Sequence, residues 1–131
     1  MERRLLQGAI ALGCAVPLLA GGSGMIEGPA FLHGVESPAP ADLDSHFRYL
    51  SGLLFAIGLA FASCIPGIER KTGRFRLLAC LVFVGGLGRL HSLVSVGMPG
   101  IGHAFGLGME LLAVPVLVLW QARVAAKGST L

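Results

Sequence analysis

Four long apolar segments dominate this sequence and restrict what the chain can fold into. They cover residues 5–26, 47–65, 75–96 and 101–120, and each is close to the ~20 residues that a helix needs to cross ~30 Å of hydrocarbon. Composition agrees, because 54% of the 131 residues are hydrophobic and only 13% are charged, too few to coat a soluble globule. The sequence therefore predicts a single domain, residues 1–131, folded as an all-α integral membrane four-helix bundle with antiparallel up-down-up-down order.

Basic residues predict how the helices are oriented, because loops rich in Lys and Arg stay on the cytoplasmic side. Eight of the ten Lys and Arg residues lie near the two termini or between the second and third helices. The loop 27–44 has four acidic residues and no Lys or Arg, which is typical of the periplasmic side. We therefore expect both termini to be cytoplasmic. No basic stripe with interleaved aromatic residues is present, so the positive charge indicates topology and not nucleic-acid binding.

Two ionisable residues lie inside apolar segments, Arg89 in the third and Glu110 in the fourth. Charged side chains in hydrocarbon are costly, and those that occur usually pair and mark the working part of a membrane protein. If these helices form an antiparallel hairpin, Arg89 lies about 12 Å and Glu110 about 15 Å below the turn at 97–100, at ~1.5 Å per residue. The similar depth predicts an ion pair across the two helices. The pair either fixes helix register or orients a ligand or relays a proton.

Most of the remaining polar side chains fall in the same outer half of the predicted bundle. The run 42–49 opens the second helix, where Asp42 or Asp44 is expected to cap free N–H groups, while Tyr and Arg often anchor helices at the interface. We predict a polar pocket that opens toward the periplasmic side. Its candidate ligand-binding residues are Arg89, Glu110, His46, Arg48, Tyr49, His91, His103, Asp44 and Glu27.

Small residues recur at four-residue spacing in two helices, at positions 9, 13, 17 and 21 and at positions 52, 56, 60 and 64. Such rows let membrane helices approach closely and predict packing seams, and they also permit a homo-oligomer. The three cysteines have no CxxC spacing and are interpreted as buried thiols inside helices. No metal site or cofactor is predicted, although haem or a metal held by His46, His91 and His103 is the alternative.

Three runs of sequence point to a known family: PADLDSHFRYLSG at 40–52, CIPGIER at 64–70 and GLGRL at 86–90. Over almost its whole length the chain resembles a family of small bacterial inner-membrane proteins that is catalogued only as a domain of unknown function. The most specific part of the resemblance is the run Asp44 through Tyr49. The resemblance implies a four-helix, multi-pass membrane protein and carries no assigned reaction.

Three classes of function are consistent with the sequence. We favour a protein that binds a lipid, a quinone-like or another amphiphilic molecule in the outer pocket, or that docks on a larger membrane complex. The second class is a small isomerase-like membrane enzyme, with Glu110 or Asp44 as general acid or base and His91 or His103 as its partner. The third is a small proton-coupled transporter centred on an intramembrane Glu. The strong bias of basic residues counts against the dual-topology form of such transporters.

Overall fold

The computed structural model describes residues 1–128, and all regular structure in this range is helical. Four helices are long and apolar enough to cross a membrane. The first three are α1, Glu2–Glu27, which a 3₁₀ turn at Gly28–Phe31 extends; α2, Ala41–Ala62; and α3, Thr72–Val96. The fourth span, Ile101–Gly128, has three parts: α4, Ile101–Gly108; a π-helical segment, Met109–Ala113; and α5, Val114–Gly128. The predicted all-α fold is thus confirmed, and the chain is a multi-pass membrane protein.

The second helix begins earlier than the apolar segment that predicted it. Pro40 occupies the N-cap position of α2, and no side chain caps the helix there. The expectation that Asp42 or Asp44 is the capping residue is therefore wrong. Both acids instead lie in the first turn of α2, where a negative charge interacts favourably with the helix dipole.

Contacts divide the chain into two compact units. Unit A comprises Gly8–Ile65, which covers most of α1, the acidic connection and α2. Unit B comprises Met1–Gln7 together with the chain from Pro66 onward, which contains α3 and the fourth span. Each unit is an antiparallel helical pair with its own seam.

In unit A, α1 packs against α2 at glycine positions. A Cβ atom on Gly21 would lie 2.7 Å from the backbone N of Phe55 and 2.8 Å from the carbonyl O of Ser51, so the two backbones are in close approach. Gly58 lies seven residues after Ser51 on α2, and a Cβ on Gly58 would lie 3.1 Å from the side chain of Leu18. Small residues at these points allow the close packing that membrane helices rely on.

In unit B, α3 runs antiparallel to the fourth span, and the best-buried side chains cluster at the end that carries the basic residues. The buried amide of Gln121 donates from Nε2 to the carbonyl O of Ile68 at 3.0 Å and to Oγ1 of Thr72 at 2.8 Å. Leu6, Ile68 and Phe75 are at most 1% exposed. Many large apolar side chains elsewhere on the spans are exposed, as expected of helices that face lipid.

Candidate functional site

The fourth span widens into a π-helical turn where it carries Glu110. The N–H of Val114 donates to the carbonyl O of Met109, five residues back, in place of the usual four. Pro115 follows directly and has no N–H, so it cannot continue a regular ladder of hydrogen bonds with the turn before it. Single π-turns inside α-helices occur frequently at functional sites. The proline therefore accounts for the widening, and the widened turn is where the intramembrane acid lies.

Arg89 and Glu110 form the ion pair that their depths predict. Nε of Arg89 lies 3.0 Å from each carboxylate oxygen of Glu110 and donates its hydrogen bond to Oε1. The Glu110 side chain is 15% exposed, and its Oε2 is buried without a hydrogen bond from the described residues. The Arg89 side chain is more open, at 36% exposed. The pair is thus asymmetric, with an enclosed carboxylate and an accessible guanidinium.

The guanidinium of Arg89 donates to Glu110 through its Nε–H alone. Arginine has five N–H donors, and the strongest carboxylate pairs engage two of them side by side. Here only the Nε–H is engaged by Glu110, and the terminal Nη1 and Nη2 groups have no acceptor among the described residues of unit B. Gly106 lies beside the guanidinium, because a Cβ added there would be 3.9 Å from Cζ of Arg89. The site therefore presents unused donors next to a glycine.

A second glycine lets the two helices meet at this height. A Cβ on Gly86 of α3 would lie 2.9 Å from Cβ of Glu110 and 2.7 Å from Cδ2 of Leu111. By contrast, a Cβ on the neighbouring Gly85 would have no heavy atom within 4 Å. Gly86 is therefore the position in α3 at which the pair is sensitive to added volume.

The two histidines of unit B are not part of the ion pair. His91 is exposed, and its Nε2 lies 3.4 Å from Oγ of Ser95, one turn along the same helix. His103 is also exposed, and its backbone N–H donates to the carbonyl O of Gly100 at 3.0 Å. Neither ring hydrogen-bonds to Glu110 within the described part of the chain, and a role for either histidine as the acid-base partner of Glu110 stays a prediction.

A different polar cluster joins α1 to α2 in unit A. Nε of Arg48 donates to Oδ2 of Asp44 at 2.8 Å, and Nη1 donates to the carbonyl oxygens of Met25 at 2.6 Å and Ile26 at 2.8 Å. These carbonyls belong to the last turn of α1, where carbonyl groups have no N–H partner within the helix and a nearby positive charge is favourable. Arg48 therefore stabilises the C-terminal end of α1, and Asp44 orients it from one turn away.

A pocket of about 410 Å³ lies beside this cluster. It is lined by Glu27, Pro29, Ala30, Glu36, Ser37, Pro38, Ala39, Ala41, Asp44 and Arg48. Unit A thus brings together three of the predicted site residues, Glu27, Asp44 and Arg48. His46 and Tyr49 are exposed and do not line the pocket. The grouping of the candidate residues of both units into a single pocket stays a prediction.

Replacing Arg48 by Gln is expected to lower the free energy of unfolding, because it leaves two helix-end carbonyls without their charged donor. The loss is expected to be moderate, because the Arg48 side chain is 40% exposed and solvent weakens its contacts. The measurement is unfolding in mixed detergent micelles. Arg76→Gln is the matched control, since Arg76 is exposed and has no ion pair with the described residues. Equal loss in both variants would contradict the role given to Arg48.

The end of unit B that carries the basic residues holds polar contacts that sequence reasoning missed. Glu2 pairs with Nε of Arg123 at 2.9 Å and with Nζ of Lys127. Oε1 of Glu69 lies 3.4 Å from Nη1 of Arg3. The sequence signal for these pairs was that Glu2 and Glu69 each stand next to basic residues. For the buried Gln121 described above, the signal was a lone amide directly after the predicted end of the fourth helix. These contacts tie the first residues of α1 to the 66–71 connection and to α5.

The histidine, cysteine and acidic side chains bear on metal ligation and thiol burial. Among residues 1–128, no group of three or more His, Cys, Asp and Glu side chains is arranged to hold a metal ion. Cys14 and Cys64 are buried, as interpreted from the sequence, but Cys64 lies in the turn after α2 and not inside a helix as expected. For Cys80 the interpretation is wrong, because its side chain is exposed on α3.

Together, four spanning helices and an intramembrane ion pair define a multi-pass membrane protein with a polar site inside its apolar region. The chain belongs to the family described as domain of unknown function DUF4345, whose model matches residues 5–121. Comparison with curated proteins and with solved structures gave no match.

Proposed function

We propose that this protein binds an amphiphilic, lipid-like molecule from within the membrane, and that Arg89 holds the polar group of that molecule. The observation that carries the proposal is the unused edge of the Arg89 guanidinium, which is accessible and lies in an apolar span. A polar group without a hydrogen bond is costly where water is scarce. An acceptor on a ligand would satisfy it.

The geometry of the pair favours binding over a purely structural role. A pair that served only to fix register would gain most from two parallel hydrogen bonds between the guanidinium and the carboxylate. Glu110 instead takes the Nε–H alone, which holds Arg89 in place and leaves the Nη groups available. Glu110 is thus a positioning residue, and Arg89 is the group that contacts the ligand.

The arrangement of charge supports a placement in the bacterial inner membrane with both termini in the cytoplasm. The termini and the 66–71 connection carry most of the basic residues, whereas the 27–44 connection is acidic. In that orientation Arg89 lies in the outer half of the membrane, about 12 Å below the periplasmic turn at ~1.5 Å per residue. A ligand would therefore enter from the outer leaflet.

The direct test is mass spectrometry of the small molecules that co-purify with the protein in a mild detergent. We expect an amphiphile to be retained by the parent protein and to be depleted at least tenfold in Arg89→Gln. Gly86→Ala should also deplete it, because the added Cβ displaces Glu110 and Leu111, whereas Gly85→Ala adds the same volume where no heavy atom lies within 4 Å and should retain it.

Two results would count against the proposal. One is equal retention of every co-purified molecule by the parent protein and by Arg89→Gln. The other is a folded parent protein that carries no amphiphile and takes none up from supplied lipid extract. A polypeptide retained in an Arg89-dependent manner would instead show that the site docks a membrane partner.

A further inference from the structure

We infer that the group held by Arg89 is a neutral carbonyl, as in a quinone ring or a lipid ester, and not a carboxylate or a phosphate. This inference rests on the proposed function and names the ligand class of the same site. It follows from three properties of the Arg89–Glu110 pair: its net charge, the kind of hydrogen-bonding groups it leaves open, and its depth.

The net charge of the pair is zero when both side chains are ionised. Glu110 already lies 3.0 Å from Nε of Arg89 and compensates its charge. A ligand carboxylate on the Nη edge would place a second negative charge near Glu110 in a medium where charges are poorly screened. A neutral carbonyl accepts the same hydrogen bonds and leaves the charge of the site unchanged.

The open groups of the site are donors. Nη1 and Nη2 of Arg89 can only donate, because a guanidinium has no acceptor. On Glu110, Oε2 has no hydrogen bond from the described residues, but this oxygen is buried. A hydroxyl headgroup would have to donate as well as accept, and would not find an accessible acceptor on this pair. A carbonyl, which only accepts, matches the site.

The depth of the site also selects against charged headgroups. Arg89 lies eight residues before the turn at Gly97, about 12 Å into the span at ~1.5 Å per residue. Phosphates remain with the other headgroups at the membrane surface, outside the hydrocarbon. Neutral carbonyls enter the apolar region at much lower cost than ions do. The ligand class is thus an apolar molecule with a neutral carbonyl.

Three probes separate the chemistries: decylubiquinone for a ring carbonyl, monoolein for an ester carbonyl, and oleate at pH 9 for a carboxylate. Equal concentrations are supplied to protein in nanodiscs, and bound probe is counted by native mass spectrometry. We expect the parent protein to bind at least one neutral probe tenfold more than oleate. Arg76→Gln should match the parent, and the ratio of the two neutral probes tells ring from ester.

Glu110→Gln provides a sharper readout, because it removes the compensating charge and leaves Arg89 cationic. We expect the preference for a neutral probe over oleate to fall at least tenfold in this variant, and Arg89→Gln to bind none of the three. The preference of the parent protein is itself a test if Glu110→Gln does not fold.

The outcomes distinguish this inference from the proposed function. Oleate bound best by the parent protein, with binding lost in Arg89→Gln, would overturn the neutral-carbonyl class and keep Arg89 as a ligand-binding residue. Binding of all three probes that is unchanged in Arg89→Gln would overturn both. An unchanged preference in folded Glu110→Gln would contradict the charge argument on which the inference rests.

Discussion

Gly21→Ala is expected to destabilise the protein by about 3 kcal/mol, the upper part of the range for overpacking a well-packed contact. The new Cβ would lie 2.7 Å from the backbone N of Phe55 and 2.8 Å from the carbonyl O of Ser51, and backbone atoms of a helix cannot move aside as a flexible side chain can. Relief therefore requires α1 and α2 to separate along their seam. Other contacts of unit A that depend on this approach, such as Gly58 against Leu18, would loosen with it.

Gly13→Ala in the same helix is the matched control. A Cβ on Gly13 would have no heavy atom within 4 Å, so the substitution adds no clash. Alanine is favoured over glycine inside a helix by about 1 kcal/mol, so this variant should be as stable as the parent or slightly more stable. Free energies of unfolding in mixed micelles of dodecylmaltoside and SDS measure both. Two destabilised variants, or two unaffected ones, would contradict the close approach at Gly21.

The seam of unit A shows what four-residue spacing in the sequence can and cannot predict. The predicted rows correctly include Gly21, but a Cβ on Gly13 would have no heavy atom within 4 Å, and Ala56 is exposed. A row at strict four-residue spacing drifts around a helix of 3.6 residues per turn, so it leaves the contact face after a few steps. The observed contacts on α1 at Gly21 and Gly24 are three residues apart, which keeps them on one face, and the 3₁₀ turn continues the contact with α2 at Gly28.

In the candidate site, contacts between helices joined by a short turn could be predicted from the sequence, whereas contacts with backbone groups could not. The Arg89–Glu110 pair was predictable because only the turn between the two helices is needed to equate the depths of the two residues. The π-turn was not predicted, although Pro115 was its signal. The partners of Arg48 are backbone carbonyls of Met25 and Ile26, and carbonyls are present at every residue, so no sequence pattern marks the ones that are used.

The buried contacts of Gln121 depend on tertiary structure even more strongly. Its Nε2 reaches the carbonyl O of Ile68, 53 residues away, and Thr72 in the first turn of α3. Its side chain is fully buried, and its Oε1 has no hydrogen bond from the described residues. A lone Gln after an apolar segment is ordinarily interpreted as the point where a helix leaves the membrane. Only the return of the 66–71 connection over α5 makes it a core residue.

Removing either member of the Arg89–Glu110 pair alone is expected to cost about 3 kcal/mol, because the remaining charge is left uncompensated in an apolar span. This is the lower end of the usual range, since Arg89 is 36% exposed while Glu110 is 15% exposed. Arg89→Met and Glu110→Leu are the appropriate variants. Both replacements are apolar and preserve much of the packing volume.

The double variant Arg89→Met with Glu110→Leu is expected to be more stable than either single variant and within about 1 kcal/mol of the parent, because well-packed apolar residues replace a buried ion pair at little net cost. With losses of about 3 kcal/mol in each single variant and at most about 1 kcal/mol in the double variant, the coupling energy from the double-mutant cycle should be about 5 kcal/mol or more. Strictly additive losses would show that the pair is not coupled.

The same double variant separates folding from binding. If the pair exists to hold a ligand through Arg89, a protein with restored stability should still fail to retain an amphiphile, whereas a pair kept only for helix register would leave retention intact once stability is restored.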